Sequence, residues 1–522
     1  MKSSQQIITA LVLSAVVALG PSCSTLSLTP DRPVSQSLKP ATSGKLAQVS
    51  AGARVKHGSG KSAFHLIKRN DEAMRWRLAL IDHATTSIDT QYFIWERDES
   101  GLLLLSHLLE AADRGVRVRL LVDDFMLKSK SKNLAALCHH PNFKIRIFNP
   151  QYVQSGKIVS TLEFVFRFGK LNRRMHNKLI VADNRLAIMG GRNIGNEYFG
   201  LSKKYNYLDL GVLVTGNVLT DISAGFDEFW NSKEAYPGVA MSASVSQRDT
   251  AKAMASVRKK LSRHSDVLAK VNLPMEQADW SPHWKKVSSK WHVGTATMVQ
   301  DAPHVSVWKK RKRFLDDAHR LTDPDHPKEF LAISPYLIPG KKVYGWIERN
   351  ASRGATVKIA TASLAAADQP WVYAHYANHR RRMMNKGAML YEFRGDAKPS
   401  IKTYTDFSPI QSKKVSLHVK GGIGDSTKCY IGSLNLDPRS IDLNTENGLI
   451  IHSPSLSREL RKHFFHIMSE ENSWSVQTSR PTGKGKMQWS SRGVSTETQP
   501  APSVLSRLGQ RVFGSLPIKS QL

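Results

Sequence analysis

The sequence predicts an α/β protein built from two related halves in one chain. Three observations carry that expectation. A strand–helix–strand grammar occurs twice, and a histidine–lysine frame recurs at a matching offset. The 522 residues, 41% of them hydrophobic, also exceed what one ordinary domain uses.

The first unit starts with "SIDTQYFI" (87–94), whose polar–apolar alternation and β-forming residues predict a strand. "SGLLLLSHLLEAADRG" (100–115) predicts a helix with Ser100 as N-cap and Gly115 as its stop, and "VRVRLLVDD" (116–124) predicts the next strand. A β-α-β unit implies parallel neighbours and a right-handed crossover. The grammar returns in "KEFLAISPYLI" (328–338), "VYGWIERNASRG" (343–354) and "ATVKIATAS" (355–363). Arg114-Gly115 and Arg353-Gly354 are offset by 239 residues, and His176 and His418 by 242. Two offsets this close indicate duplication. "YLDLGVLV" (207–214) and "TENGLII" (445–451) form a third pair, each ahead of an amphipathic helix with clustered aromatics: Phe226, Phe229 and Trp230, then Phe464 and Phe465.

The expected organisation is a signal peptide at 1–22, a flexible linker at 23–62, halves at 63–240 and 326–474, a basic helical insert at 241–325, and a basic low-complexity tail at 475–522. Lys2 and the apolar run Ile7–Leu19 have the form of an export signal, too short for an ordinary membrane span. Three routes are open: cleavage near Gly20 or Ser22, an uncleaved anchor, or lipoprotein processing that leaves Cys23 lipidated. "LGPSC" resembles a lipobox, although Gly20-Pro21 departs from its usual residues. All three predict an exported, membrane-associated protein facing the periplasm or cell exterior.

A net charge of +32 favours a polyanionic partner. "VRKK" (257–260), "WKKRKR" (308–313) and "HRRRMMNK" (379–386), with Trp291, Trp308 and Trp371, fit an anionic membrane surface. No sequence-reading module for nucleic acid is evident, and none is expected as a partner. Cys23, Cys138 and Cys429 are too few for a disulfide framework and lack metal spacing, so Cys138 and Cys429 are expected as buried thiols.

"RRMHNKLIVAD" (173–183) and "SLHVKGGIGD" (416–425) share the frame His-x-Lys-x-x-x-x-Asp. On a strand, His176 and Lys178 face one side, as do His418 and Lys420. Asp183 and Asp425 complete the candidate catalytic set and are expected in turns, holding geometry. "MGGRN" (189–193) and "IGSLN" (431–435) place Asn193 and Asn435 seventeen residues past their histidines, as candidate phosphate-binding residues. The glycines there are expected to let backbone approach an anion. Asp209 and Glu446 are expected to orient the histidine of their own half by accepting its far ring proton. Such a set suits a phosphodiester: one imidazole attacks phosphorus, the other moves the proton of the alcohol, and the lysines balance charge. It calls for no metal or other cofactor.

These frames, with "TQYFIWERDESG", "ADRGVRVRLLVDD", "SPYLIPG" and "GSLNLDPRSIDLNTENG", resemble the phospholipase D superfamily and its bacterial cardiolipin synthase branch, over about residues 65–475. The resemblance implies two pseudo-twofold-related α-β-α halves, mixed sheets flanked by helices, and one active site between them. It implies transfer of a phosphatidyl group between phospholipids through a phosphohistidine, with His176 as nucleophile, His418 as acid/base, and phosphatidylglycerol and phosphatidylethanolamine as lipids. The rival outcomes are a phospholipase D that uses water, an exported nuclease of the same superfamily, and a catalytically dead tether. Gly421-Gly422 depart from the bulkier residues usual there and predict a bulged strand.

Overall fold

The computed structural model describes residues 30–57, 60–124, 132–151, 168–241, 245–246, 248–288, 290–303, 328–479 and 485–516. The expected signal peptide, Cys23, "WKKRKR" and Trp308 lie outside them.

Among the described residues, twenty strands follow in chain order. Those of the first half are β1 (Ser62–Ile67), β2 (Ser87–Tyr92), β3 (Arg117–Asp123), β4 (Phe143–Phe148), β5 (Leu179–Ala182), β6 (Leu186–Gly190), β7 (Tyr205–Leu208), β8 (Gly211–Gly216) and β9 (Ala235–Pro237). The remainder are β10 (His292–Gln300), β11 (Glu329–Ile333), β12 (Thr356–Ala362), β13 (Ala388–Phe393), β14 (Lys414–Leu417), β15 (Gly421–Gly424), β16 (Lys428–Gly432), β17 (Asn447–His452), β18 (Ser473–Thr478), β19 (Met487–Ser491) and β20 (Val494–Thr496).

The first sheet runs β1-β8-β6-β5-β2-β3-β4-β9, with β2, β3 and β4 parallel and the rest antiparallel. The second runs β10-β17-β16-β15-β11-β12-β13-β18 with the same pattern of directions. Each strand of the first order thus has a counterpart at the same place in the second, as duplication requires. The sheets join where β1 pairs with β10, Ser62 opposite Gly294. A second seam is the parallel pair β7–β14, Leu208 opposite Leu417.

The first β-α-β unit has its helix at Glu99–Asp113 and the second at Lys341–Ser352. Asp98, not Ser100, is the first helix's N-cap, accepting from the Gly101 amide at 3.0 Å. Gly115 stops it at φ +93°, where glycine pays no Cβ penalty. The aromatic helices Leu219–Trp230 and Pro454–Met468 bury Phe226, Phe229, Trp230 and Phe464. Cys138 and Cys429 are free and buried, and burial pushes each thiol up to about 12.

Several boundaries differ from expectation. The linker is packed over its described part: Ser35 and Ser37 donate to Asn231 and Asp227, and helix Lys45–His57 buries Leu46, Val49 and Ala53. Their i, i+3, i+7 repeat is hidden in a polar composition. Among the described residues the insert is helical to Ser288 and then turns to strand, because residues 292–300 are the β1 counterpart in the second sheet. Its segment 273–280 straps down a buried pair: Asp82 accepts from His107 at 2.6 Å and from the Trp280 indole at 2.7 Å. The described part of the tail is not low-complexity coil: it adds β19 and β20 to the sheet edge and continues into helix Val504–Ser515. β15 is a regular strand without a bulge, continuous in register with β11 and β16. A Cβ on Gly421 would lie 2.9 Å from the Phe464 ring, so the glycine makes room for that core aromatic.

Candidate active site

Both histidines sit where the halves meet, in extended backbone next to strands, not inside a ladder. His176 lies ahead of β5, and His418 lies between β14 and β15. Cross-half backbone bonds fix them: the His176 amide donates to the Thr445 carbonyl at 2.9 Å, and the His418 amide to the Leu208 carbonyl at 2.8 Å. Each lysine folds toward its own histidine, Lys420 Nζ donating to the His418 carbonyl at 2.8 Å and Lys178 Nζ to that of His176 at 2.5 Å.

The carboxylates are crossed between halves. His176 Nδ1 is 2.8 Å from Glu446, and His418 Nδ1 is 2.6 Å from Asp209. The expected residues are therefore present with their partners exchanged. The reason is the seam itself. β7 delivers Asp209 alongside β14, which leads to His418, while the parallel Met175–Thr445 bridge sets Glu446 beside His176. With Nδ1 occupied on both rings, Nε2 is the nitrogen left for substrate.

Each of these two residues is itself held in place. Glu446 accepts from Ser433 Oγ at 2.5 Å, and its amide donates to Asp301 at 2.9 Å. The buried Arg192 donates to the Asp209 carbonyl at 2.5 Å. Gly191 serves Asp209 too: a Cβ there would lie 2.4 Å from Asp209 Oδ1. That glycine clears space for a carboxylate and not for an anion's approach. The histidines also have aromatic walls. Phe93 lies 5.2 Å from the His176 ring centroid, and Tyr207 and Tyr198 lie 4.7 and 5.2 Å from that of His418.

The site is buried and rich in positive charge. Burial, then Lys178, Lys420, His418 and Arg439, push the His176 imidazole well below its usual value. Burial and Lys420 lower His418 as well, but Asp209 opposes them. Burial holds Lys178 well below the ordinary lysine value and brings Lys420 down to about 8. Burial raises the Glu446 carboxyl well above its usual range. It would raise Asp209 too, yet His418, Lys420 and Arg192 outweigh it and keep that carboxylate low. The pairs therefore differ: His176 is a neutral ring beside a reluctant acid, and His418 has an ionised partner that stabilises its protonated form.

Asp183 and Asp425 belong to turns rather than to this cluster. Asp183 (φ +55°) closes the β5–β6 hairpin and accepts from the Thr85, Thr86 and Ser87 amides at 2.8–3.1 Å. Asp425 (φ +53°) closes β15–β16 and accepts from the Lys328 amide at 2.7 Å. Asn193 and Asn435 are buried; Asn193 bonds the Ile94 amide and the Tyr198 hydroxyl, and Asn435 Nδ2 donates to Ser440 at 3.4 Å. Asn435 Oδ1 is buried with no hydrogen-bond partner among the described residues. Asp301, Ser433, Arg192 and the tyrosines escaped sequence reasoning. Only Ser433 and Arg192 carried a signal, being embedded in the repeated Gly-x-x-Asn segments.

A duplicated α/β body with paired histidines and lysines at its seam defines a phospholipase D-type phosphodiesterase/phosphatidyltransferase. A family model described as "Cardiolipin synthase, PLD-like domain" matches residues 78–230 and 325–468, and the chain belongs to that family. It is 31% identical to cardiolipin synthase C of Escherichia coli K12 over 88% of this chain and 96% of that one. It is 22% identical to a cardiolipin synthase of Clostridium perfringens SM101 over 74% of this chain and 66% of that one. Among solved structures, the fold matches phosphatidylserine synthase of Haemophilus influenzae with a TM-score of 0.55 and 14% identity, covering 91% of this chain and all of the other.

Proposed function

We propose that the chain makes cardiolipin by moving a phosphatidyl group from one phospholipid to a hydroxyl of phosphatidylglycerol, through a phosphohistidine on His176. The crossed carboxylate pairing carries this reading, because it draws both imidazoles into one centre with Nε2 free on each. His176 Nε2 forms the N–P bond as the P–O bond to the leaving alcohol breaks, and His418 gives that alcohol its proton. The incoming hydroxyl then loses its proton to His418, forms the new P–O bond and breaks N–P. Lys178 and Lys420 offset charge on the phosphoryl oxygens, and Asn193 and Asn435 donate to them. The electrostatic difference between the pairs favours His176 as nucleophile and His418 as acid.

The test uses purified protein with labelled phosphatidylglycerol, with and without phosphatidylethanolamine, plus a DNA phosphodiester control, all in chelator. Cardiolipin supports the proposal. Phosphatidic acid alone marks a hydrolase, and nicked DNA a nuclease.

Activity should fall as pH rises, first as His418, itself held below its ordinary value, loses the proton it gives the leaving alcohol, and again through about 8, where Lys420 loses the proton that makes it a counter-charge. His176, already held low, should impose no acid limb above pH 6.5. A kcat/KM profile from pH 5.5 to 10 checks this, and a rate still climbing at pH 9 contradicts it.

Export, with lipid attachment at Cys23 as one route, belongs to the same reading, since the substrates are membrane lipids. No described helix is long and apolar enough to cross a membrane. Helix Val504–Ser515, however, presents Val504, Leu505, Leu508 and Val512 on one face, exposed by 52–79%. Such a row, with Arg507 and Arg511 on the same helix, suits insertion into an anionic lipid surface. The helix rests on helix Pro370–Ala377, which carries the exposed Trp371. Of the basic clusters, Arg258 and Lys259 are solvated, whereas Arg380 is buried on Glu392 at 2.6 Å. Replacing Leu505 and Leu508 together by glutamate should weaken sedimentation with phosphatidylglycerol vesicles by about tenfold or more; wild-type binding contradicts the docking role.

A further inference from the structure

Beside His418 is a carboxylate that the mechanism above leaves unused. Asp368 lies just ahead of helix Pro370–Ala377. Its Oδ2 accepts from two tyrosine hydroxyls, Tyr207 of the first half at 2.9 Å and Tyr336 of the second at 2.8 Å. Its Oδ1 is shielded from solvent and has no hydrogen-bond partner among the described residues. An unpartnered buried carboxylate oxygen is costly and implies a missing donor. Tyr207 also packs against the His418 ring, so the carboxylate is tied to the acid/base end of the site. Asp368 acts electrostatically on His418, Lys420 and Lys414.

The missing donor must be neutral or nearly so. Lys420 and Lys414 oppose an ammonium headgroup here, whereas a hydroxyl donates without adding charge. We propose that Asp368, oriented by Tyr207 and Tyr336, binds one hydroxyl of a polyol headgroup, so that the adjacent hydroxyl of the same diol faces His418 as the attacking group. This rests on the transfer reading above and deepens it: the acceptor is selected as a vicinal diol. Once one hydroxyl is held on Oδ1, its neighbour is a short, fixed distance away, which is the orientation that transfer requires and that water cannot reproduce.

The experiment is an acceptor competition. The full chain receives labelled phosphatidylglycerol in mixed micelles with equimolar 1-propanol and 1,2-propanediol, and the ratio of the two phosphatidyl-alcohols is read. The wild type should favour the diol product, and Asp368→Asn should cut that ratio by about tenfold, the effect of one hydrogen bond to a charged group. Tyr336→Phe, which removes one of the two orienting hydroxyls, should move the ratio the same way by less. A purely structural Asp368 would lower both products together and leave the ratio alone; that result overturns the inference, as does a wild type with no diol preference. A wild type that makes neither phosphatidyl-alcohol overturns the transfer reading itself, and this inference with it. If Asp368→Asn does not fold, the Tyr336→Phe ratio decides.

Discussion

Replacing His176 by glutamine lowers turnover by about 10⁴-fold or more, because the nucleophile is lost and the other imidazole at the seam, His418, is committed to proton transfer. Glutamine keeps a donor toward Glu446 and much of the ring's volume, so the seam stays closed and the loss is chemical. His418→Gln should differ in kind. It keeps the nucleophile and loses the proton carrier. With a lipid analogue whose leaving group is an acidic phenol, departure needs no proton, and the covalent adduct should form and persist. Because an N–P bond is lost in acid, denaturant quenching of labelled analogue at alkaline pH followed by peptide mapping at that pH reads both outcomes: label at residue 176 in the wild type and His418→Gln, and none in His176→Gln. Label on residue 418 would reverse the roles assigned here.

Asp209→Asn should lower kcat by roughly 10²–10⁴-fold, the range for losing a group that orients a catalytic imidazole. The diagnostic is which step fails. Asp209 follows His176 in the chain but holds His418 at 2.6 Å. Asp209→Asn should therefore behave like His418→Gln and accumulate adduct with the phenolic analogue. Glu446→Gln, although in the second half, should slow adduct formation at His176. Gly191→Ala should follow Asp209→Asn, since its added Cβ would fall 2.4 Å from Asp209 Oδ1 and displace the carboxylate. Rapid-quench kinetics separates the steps. If Asp209→Asn impaired attack by His176 and spared resolution, the crossed assignment would be wrong.

Much of this was legible in the chain, and the limits follow from how each signal is encoded. The β-α-β units and the His-x-Lys frames are local patterns, so their periodicity and repetition reveal them. The turn role of Asp183 and Asp425 was legible for the same reason, because Asp-Asn and Asp-Ser pairs tolerate the positive φ that tight hairpins need. The exchange of Asp209 and Glu446 was not, because it depends on which half supplies the neighbouring strand. β7 against β14 is a docking contact between residues some two hundred positions apart. Asp368 was hidden likewise, since it sits in no repeated motif, and Tyr336, although inside the repeated segment 328–338, carries no local sign that it bonds a carboxylate some thirty residues on. Gly191 was visible as a glycine but misread. Its reason is a carboxylate one strand away. The packed linker and the C-terminal helix show a different limit: Leu46, Val49 and Ala53, or Val504, Leu508 and Val512, carry a helical period inside segments whose bulk composition reads as unstructured.

The most direct test of the central claim is the proton NMR signal of each histidine Nδ1–H, which appears far downfield when the proton is shared with a carboxylate. With ¹⁵N-histidine-labelled protein, His176→Gln and His418→Gln assign the two resonances by loss. Asp209→Asn should then erase or shift upfield the His418 resonance and leave that of His176, while Glu446→Gln does the reverse. Loss of the His176 signal in Asp209→Asn, with His418 untouched, would contradict a centre in which each half orients the other's histidine.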